Sequence, residues 1–427
     1  MSINTLIKNV CIIDDAGETQ TADIAITGNK ISAVGQVSAN FAADYTIDGR
    51  DMLAVPGFVN AHTHASMTLL RSYADDMNLM DWLQKKIWPV EDLMTPDDLY
   101  WGAMLAAAEM IKSGTTVFAD MYGPYMDRVA DATIESGLRG VLSRGIVGVA
   151  GDFEGKLSTG ENFCRDYQGA GDGRITVMMS PHAPYTCTKE QIAKIADTAA
   201  KLNTEVNIHM AETTGEVENC LQEHGQRPFA FVESTGLFER GTLAAHGVHL
   251  DAEDLAVIKR HKIRIAHNPG SNMKLSSGMA PATQLVSEGV CVGLGTDGAS
   301  SNNNMDMLEE IRLAALLGKL QTNDPTAIPA LTALKMGTEY GATAVGLNNV
   351  GKLSAGYLAD IVLFNLRDAC WYPRHNLASL LVYSAHVGTV DTVIVDGRIL
   401  MEKRQLKTID EEKVYFEAER AARRLVG

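Results

Sequence analysis

From about residue 56 onward the chain alternates short apolar segments with longer helical stretches, and this rhythm limits the fold more than any other feature. The first segment is the run Val55-Pro56-Gly57-Phe58-Val59-Asn60-Ala61-His62-Thr63-His64. Thr115–Asp120, Arg139–Ile146, Ile175–Ser180, Val206–Met210, Leu243–His246, Ile263–His267 and Val290–Gly295 follow, with helical patterns between most of them. One helix is delimited by its own chemistry. Thr95 is placed to cap it, Pro96 suits the first helical position, Asp97 and Asp98 fall in the first turn, and Gly114 ends it. Eight strands separated by helices predict a parallel (β/α)8 TIM barrel, an α/β fold.

The two ends of the chain read differently. Before residue 56, Thr5–Ile13, Ala22–Ile26 and Ile31–Val34 are strand-like, with a turn at Gly28-Asn29. After the barrel, Asp360–Phe364 and Thr392–Ile399 restore that texture, with Asp396-Gly397 as a turn, and Glu411–Leu425 reads as a terminal helix. The expected organisation is a barrel over 56–349 with a small composite β-sandwich formed from 1–55 and 350–427. The net charge of −16 argues against a nucleic-acid partner, because phosphate binding relies on Lys and Arg. No apolar run has the length of a membrane span, so no membrane partner is expected. The six cysteines are scattered without a C-x-x-C pair, which fits reduced thiols and a cytoplasmic setting.

In a barrel, the C-terminal strand ends gather around one mouth however distant they are in sequence. The first strand ends in His62 and His64, whose side chains alternate onto one face roughly 6–7 Å apart along the backbone. Strand five ends at His209, strand six at His246 and strand eight at Asp297. Three histidines and an aspartate form a ligand set for one divalent transition metal such as Zn2+, with a position open for water. Glu212 follows His209 by three residues, within reach of that water or of a substrate nitrogen. Arg144 lies near the end of strand three and His182 at the end of strand four. Strand four carries no Lys at its end, which argues against a carbamylated lysine bridging two metals. His249, His261, His375 and His386 fall outside the strand ends and read as structural, and His267 reads as structural or as pocket wall.

The motifs Pro56-Gly57-Phe58-Val59-Asn60-Ala61-His62-Thr63-His64, His209-Met210-Ala211-Glu212, Ala245-His246-Gly247 and Gly295-Thr296-Asp297-Gly298 resemble the amidohydrolase superfamily. Asp81-Trp82-Leu83, Trp88-Pro89-Val90-Glu91, Leu142-Ser143-Arg144-Gly145 and Ser180-Pro181-His182-Ala183-Pro184 resemble its branch of 5-methylthioadenosine/S-adenosylhomocysteine deaminases. Asn272-Met273-Lys274-Leu275 and Ser300-Ser301-Asn302-Asn303 are similar to that branch and to the triazine hydrolases. The resemblance implies a metal-dependent aminohydrolase acting on the C–N bond of a cyclic amidine in a small nucleoside. It implies that His62, His64, His209 and Asp297 bind one divalent metal, usually zinc. Glu212 would be the proton shuttle, His246 would orient the water or the tetrahedral intermediate, and Asp297 would also accept the water proton. Glu91 would take the ribose hydroxyls, Trp82 would lie against the nucleoside, and Arg144 and His182 would contact the sugar and its 5′ substituent. A second arginine that some members place after strand three has no counterpart, since Arg165 lies well downstream. The rival expectations are a guanine or other base deaminase, a triazine-type hydrolase and, remotely, a non-catalytic scaffold. Trp82 and Glu91 favour a nucleoside because a free base offers no diol, and the complete ligand set disfavours a scaffold. Assembly into a homo-oligomer is allowed for.

Overall fold

A computed structural model describes residues 4–427. Among them eight strands form a parallel sheet: β6 (Phe58–Thr63), β7 (Thr115–Tyr122), β8 (Arg139–Ile146), β9 (Ile175–Pro181), β10 (Val206–Met210), β11 (Thr242–His246), β12 (Arg264–His267) and β13 (Val292–Leu294). The strands pair in chain order, and most are buried along their whole length, as a sheet covered on both faces requires. The ends of the sheet come round to meet. A Cβ on Gly293 would lie 3.1 Å from that of Ala61, and the Asp297 amide donates to the His62 carbonyl at 2.9 Å. The helix Pro96–Ser113 packs outside, bounded as its sequence predicts. Thr95 and Asp98 form a reciprocal capping box, and Gly114 turns the chain off at φ +91°.

The remaining strands form a second sheet drawn from both ends of the chain: β1 (Thr5–Ile13), β2 (Thr19–Thr27), β3 (Lys30–Gly35), β4 (Tyr45–Asp48), β5 (Met52–Pro56), β14 (Ile361–Asn365), β15 (Val390–Val395), β16 (Arg398–Glu402) and β17 (Gln405–Leu406). Its middle strands are apolar on both faces. Ala54, Ile361, Leu363 and Ile394 share a core with Ile7, Ile24, Ile26 and Ile31, so both chain ends contribute to one buried cluster of this mixed sheet. Leu53, Val55, Val362, Phe364 and Val393, on the alternate face, join the main core.

The run from Val55 to His64, read from the sequence as one strand, is two. β5 pairs antiparallel with β14 in the small sheet, and β6 starts the barrel after Gly57. Gly57 passes so close to β7 that a Cβ there would lie 2.1 Å from Thr116 Oγ1, which leaves no room for a side chain at the crossing. The six cysteines are unpaired. No helix among the described residues is long and apolar enough to cross a membrane.

One buried ion network pins the small sheet to the strand starts, at the end opposite the histidines. Arg139, the first residue of β8, donates to Asp360 Oδ2 at 3.1 Å and Oδ1 at 3.2 Å, and to Asp396 Oδ1 at 3.0 Å. Arg139 and Asp360 are both buried, so breaking the pair from one side leaves an uncompensated charge. Arg139→Met is therefore expected to cost about 3–5 kcal/mol. Urea denaturation of the variant, read as a lowered midpoint at unchanged slope, checks this.

Candidate active site

Four histidines and two acids from separate strand ends meet in the barrel mouth. His62 lies one residue before the end of β6 and His64 just beyond it, with ring centroids 4.9 Å apart. His209 comes from β10 and its ring centre lies 4.8 Å from that of His62 and 5.3 Å from that of His64. Asp297, just beyond β13, places Oδ1 3.1 Å from His64 Nε2 and 3.5 Å from His62 Nε2. His246 completes the group from the end of β11, 5.5 Å from His62 between ring centres. Three backbone positions at these strand ends are left-handed without being glycine: Ala211 at φ +50°, His246 at +73° and Asp297 at +61°. Each sharp turn aims a side chain back over the mouth, and such strain persists where the surroundings hold it in place.

Groups behind the rings set which nitrogen faces inward. His64 Nδ1 donates to the Met121 carbonyl, and His209 Nδ1 donates to the His182 carbonyl at 2.8 Å. In the neutral rings this leaves two Nε2 lone pairs facing each other at 3.4 Å, an arrangement satisfied by a proton or a metal cation between them. Both nitrogens of His62 are buried without a hydrogen-bond partner. Asp297 Oδ2 accepts from Ser271 Oγ at 2.6 Å and Ser301 Oγ at 2.8 Å, so Oδ1 is the oxygen left to the cluster.

The electrostatics agree with a ligand set. Burial pushes His62 down to about 4 and holds His209 well below its ordinary value, so both are neutral donors at pH 7. Burial also opposes a charge on His64, yet Asp297 lifts it to about 9. Burial pushes the Asp297 carboxyl up, but His62 and His64 overcome this and hold it well below the usual range. A divalent cation seated between these groups would take over what a proton otherwise supplies.

Next to the cluster, His246 Nδ1 meets both an acceptor, Asn272 Oδ1 at 3.0 Å, and a donor, Asn268 Nδ2 at 3.3 Å. The ring is thus held whether or not Nδ1 carries a proton, while Nε2 faces Glu212 Oε2 at 3.7 Å. Burial raises the Glu212 carboxyl, and Ser277 Oγ lies 3.5 Å from its Oε1. Glu91 belongs to the helical turn Trp88–Glu91, is raised by burial, and accepts from Tyr122 Oη at 2.6 Å. Tyr122 in turn lies 6.2 Å from His64 between ring centres and pairs in register with Arg144. Glu91, Tyr122 and Arg144 therefore form a row beside the histidine cluster. Arg144 Nε and Trp82 Nε1 are buried without partners. His182, pushed down to about 3 by burial, lies tilted against His209 with ring centres 4.7 Å apart. His249 bonds the Ser277 carbonyl at 2.6 Å and His261 bonds Glu233 at 2.8 Å. His267 lies buried beside Asn272 in the wall of a small cavity.

Sequence reasoning missed the supporting layer: the carbonyls of Met121 and His182, Tyr122, Asn268, Ser271 and Glu310. Asn272 and Ser301 lay within quoted motifs, but nothing local to them says which side chain they would meet. Glu310 links two of the supporting loops, accepting from the Gly270 amide at 2.9 Å and Asn302 Nδ2 at 2.8 Å. Burial raises its carboxyl to about 8, with those two donors pulling the other way. A raised acid favours folding when protonated, so its contribution is complete below the unfolded value near 4.5 and is lost as pH rises through about 8. Glu310→Gln should therefore flatten the fall of stability with pH between those limits, by up to about 1.4 kcal/mol per pH unit. Denaturation midpoints of both proteins across that range check it.

The amidohydrolase family model matches residues 53–400. A 5-methylthioadenosine/S-adenosylhomocysteine deaminase of Pelotomaculum thermopropionicum is 50% identical over 430 residues, covering 99% of each chain. That of Desulforudis audaxviator is 49% identical, again over 99% of each. A zinc-bound adenosine deaminase structure from Xanthomonas campestris superposes with a TM-score of 0.94 at 32% identity, covering 99% of this chain and 98% of that one. The chain belongs to the amidohydrolase family and is similar along its whole length to the 5-methylthioadenosine/S-adenosylhomocysteine deaminases.

Proposed function

We propose that the chain hydrolytically deaminates adenosine-type nucleosides, taking 5-methylthioadenosine and S-adenosylhomocysteine to their inosine analogues and ammonia. The observation that carries this reading is the buried meeting of His62, His64, His209 and Asp297 beside Glu212 and His246. The names of full-length relatives at 47% to 50% identity support the choice of reaction within the family.

His62, His64, His209 and Asp297 would hold one divalent metal, and their nitrogen-rich set with one carboxylate suits Zn2+. Bound there, the metal would lower the pKa of a water toward about 7 and make hydroxide available at neutral pH. Asp297 would accept the proton of the attacking water. Glu212, raised by burial, carries a proton to purine N1, which makes C6 electrophilic. His246 donates from Nε2 to the oxygen that develops charge at C6, a contribution commonly worth about 3 kcal/mol. The proton taken by Asp297 would pass to the C6 amino group, which leaves as ammonia, while the remaining hydroxyl proton returns to Glu212 as the C6 carbonyl forms. Glu91 keeps one carboxylate oxygen for the ribose hydroxyls while Tyr122 occupies the other. Trp82 lies against the nucleoside, and Arg144 and His182 contact the sugar and 5′ substituent, fixing C6 over the metal ligands. The acidic chain and its unpaired cysteines support a cytoplasmic enzyme for a small-molecule substrate.

An ultraviolet assay of the zinc-reconstituted protein tests the reading against 5-methylthioadenosine, S-adenosylhomocysteine, 5′-deoxyadenosine and adenosine, with ammonia release measured alongside. Turnover favouring the two thioether nucleosides is expected. Turnover of adenine, guanine or an s-triazine with none of any adenosine derivative would overturn it. Glu212→Gln should retain metal while losing about 10²- to 10⁴-fold in turnover, the usual reach of general acid–base catalysis. Asp297→Asn should instead lower metal content measured by atomic absorption, because an amide gives the cation no charge.

A further inference from the structure

Glu216 is buried and its carboxylate faces neither a cation nor the nucleoside contacts proposed above. It sits in the first turn of the helix Thr214–His224, whose cap is Thr213. A first-turn Glu in a capping box bonds the amide of the cap residue. Glu216 reaches further back. Its Oε1 accepts from the Ala211 amide at 2.8 Å and its Oε2 from the Glu212 amide at 2.8 Å. Ala211 is the left-handed residue that turns the chain from β10 toward Glu212, at φ +50°. Its carbonyl accepts in turn from the amides of Val248 and His249, each at 3.0 Å. The elbow between His209 and Glu212 is therefore gripped from both sides, by the loop after β11 and by the Glu216 fork.

We infer that Glu216 is a positioning residue whose two carboxylate oxygens hold the Ala211–Glu212 elbow in its left-handed turn and so aim Glu212 at the reacting nitrogen. This rests on the proton-carrying role proposed for Glu212. The carboxylate accepts from two adjacent amides at once, one through each oxygen. Burial raises the Glu216 carboxyl to about 7, with the two amides opposing, which marks the cost the fold bears to keep it there.

Glu216→Gln keeps the shape but turns an amino group toward one of the two amide donors. The experiment is a double-mutant cycle of Glu216→Gln with Glu212→Gln in the zinc-reconstituted full chain, following kcat, KM for 5-methylthioadenosine, metal content and Tm. Glu216→Gln alone is expected to lower kcat about 10- to 100-fold, with KM and metal content little changed. In the Glu212→Gln background the same change should cost less than about twofold, because the group it aims is already gone. Equal losses in both backgrounds, or wild-type kcat in Glu216→Gln, would overturn the inference while leaving the role of Glu212 intact. Near-normal turnover by Glu212→Gln alone would instead remove Glu212 from the chemistry, and a loss in Glu216→Gln would then have to act elsewhere, which also overturns it. Glu216→Asp, which retains the charge but withdraws it by one methylene, carries the same cycle if the glutamine variant does not fold. Failure of both variants to fold would assign the carboxylate to the fold and overturn the inference.

Discussion

Four imidazoles and a carboxylate share one buried space at the barrel mouth, and the rest of the structure is organised around holding them there. Each of these groups is costly to bury alone. Together, with two Nε2 atoms 3.4 Å apart and Asp297 Oδ1 against His62 and His64, they make an arrangement that a cation resolves. His62 and His64, His209 and Asp297 come from the ends of the first, fifth and eighth barrel strands, so they meet only when β13 returns to β6. Closure of the barrel and assembly of the site are thus the same event.

The supporting layer follows from the same constraint. The backs of these rings are buried, and there backbone carbonyls accept from Nδ1 of His64 and His209 while the Asn268 and Asn272 side-chain amides flank Nδ1 of His246. Buried carboxylates do the same for the backbone. Asp120 accepts from the Ala65 amide and the Thr63 hydroxyl on either side of His64. Glu216 holds the elbow before Glu212, and Glu310 ties down the loop that carries Ser271. Left-handed backbone at Ala211, His246 and Asp297 is kept in place by this layer rather than by local preference. The opposite end of the barrel serves stability, with the buried network of Arg139, Asp360 and Asp396 joining the small sheet to the strand starts.

Strand rhythm, helix caps and the strand-end histidines were legible because each is a local signal. The helix from Pro96 to Ser113 begins and ends where Thr95 and Gly114 say it should, since capping involves only residues a few positions apart. The division of the run at Gly57 was not legible, because apolar periodicity continues across it and only the contact with Thr116 reveals the crossing. Tyr122 beside Glu91, and Asn268 and Asn272 beside His246, were hidden for the same reason. Their identities are ordinary for their elements, and their partners lie far away in the chain.

By itself the sequence determined the alternation of strands and helices, the caps, and which chemically able side chains stand at the strand ends. Those follow from hydrogen bonding and side-chain direction within a few residues. Tertiary structure alone decided which nitrogen of each ring points inward, which acids are raised or lowered, and how Glu212 is aimed. These depend on burial and on partners from distant strands, and neither exists until the barrel has closed.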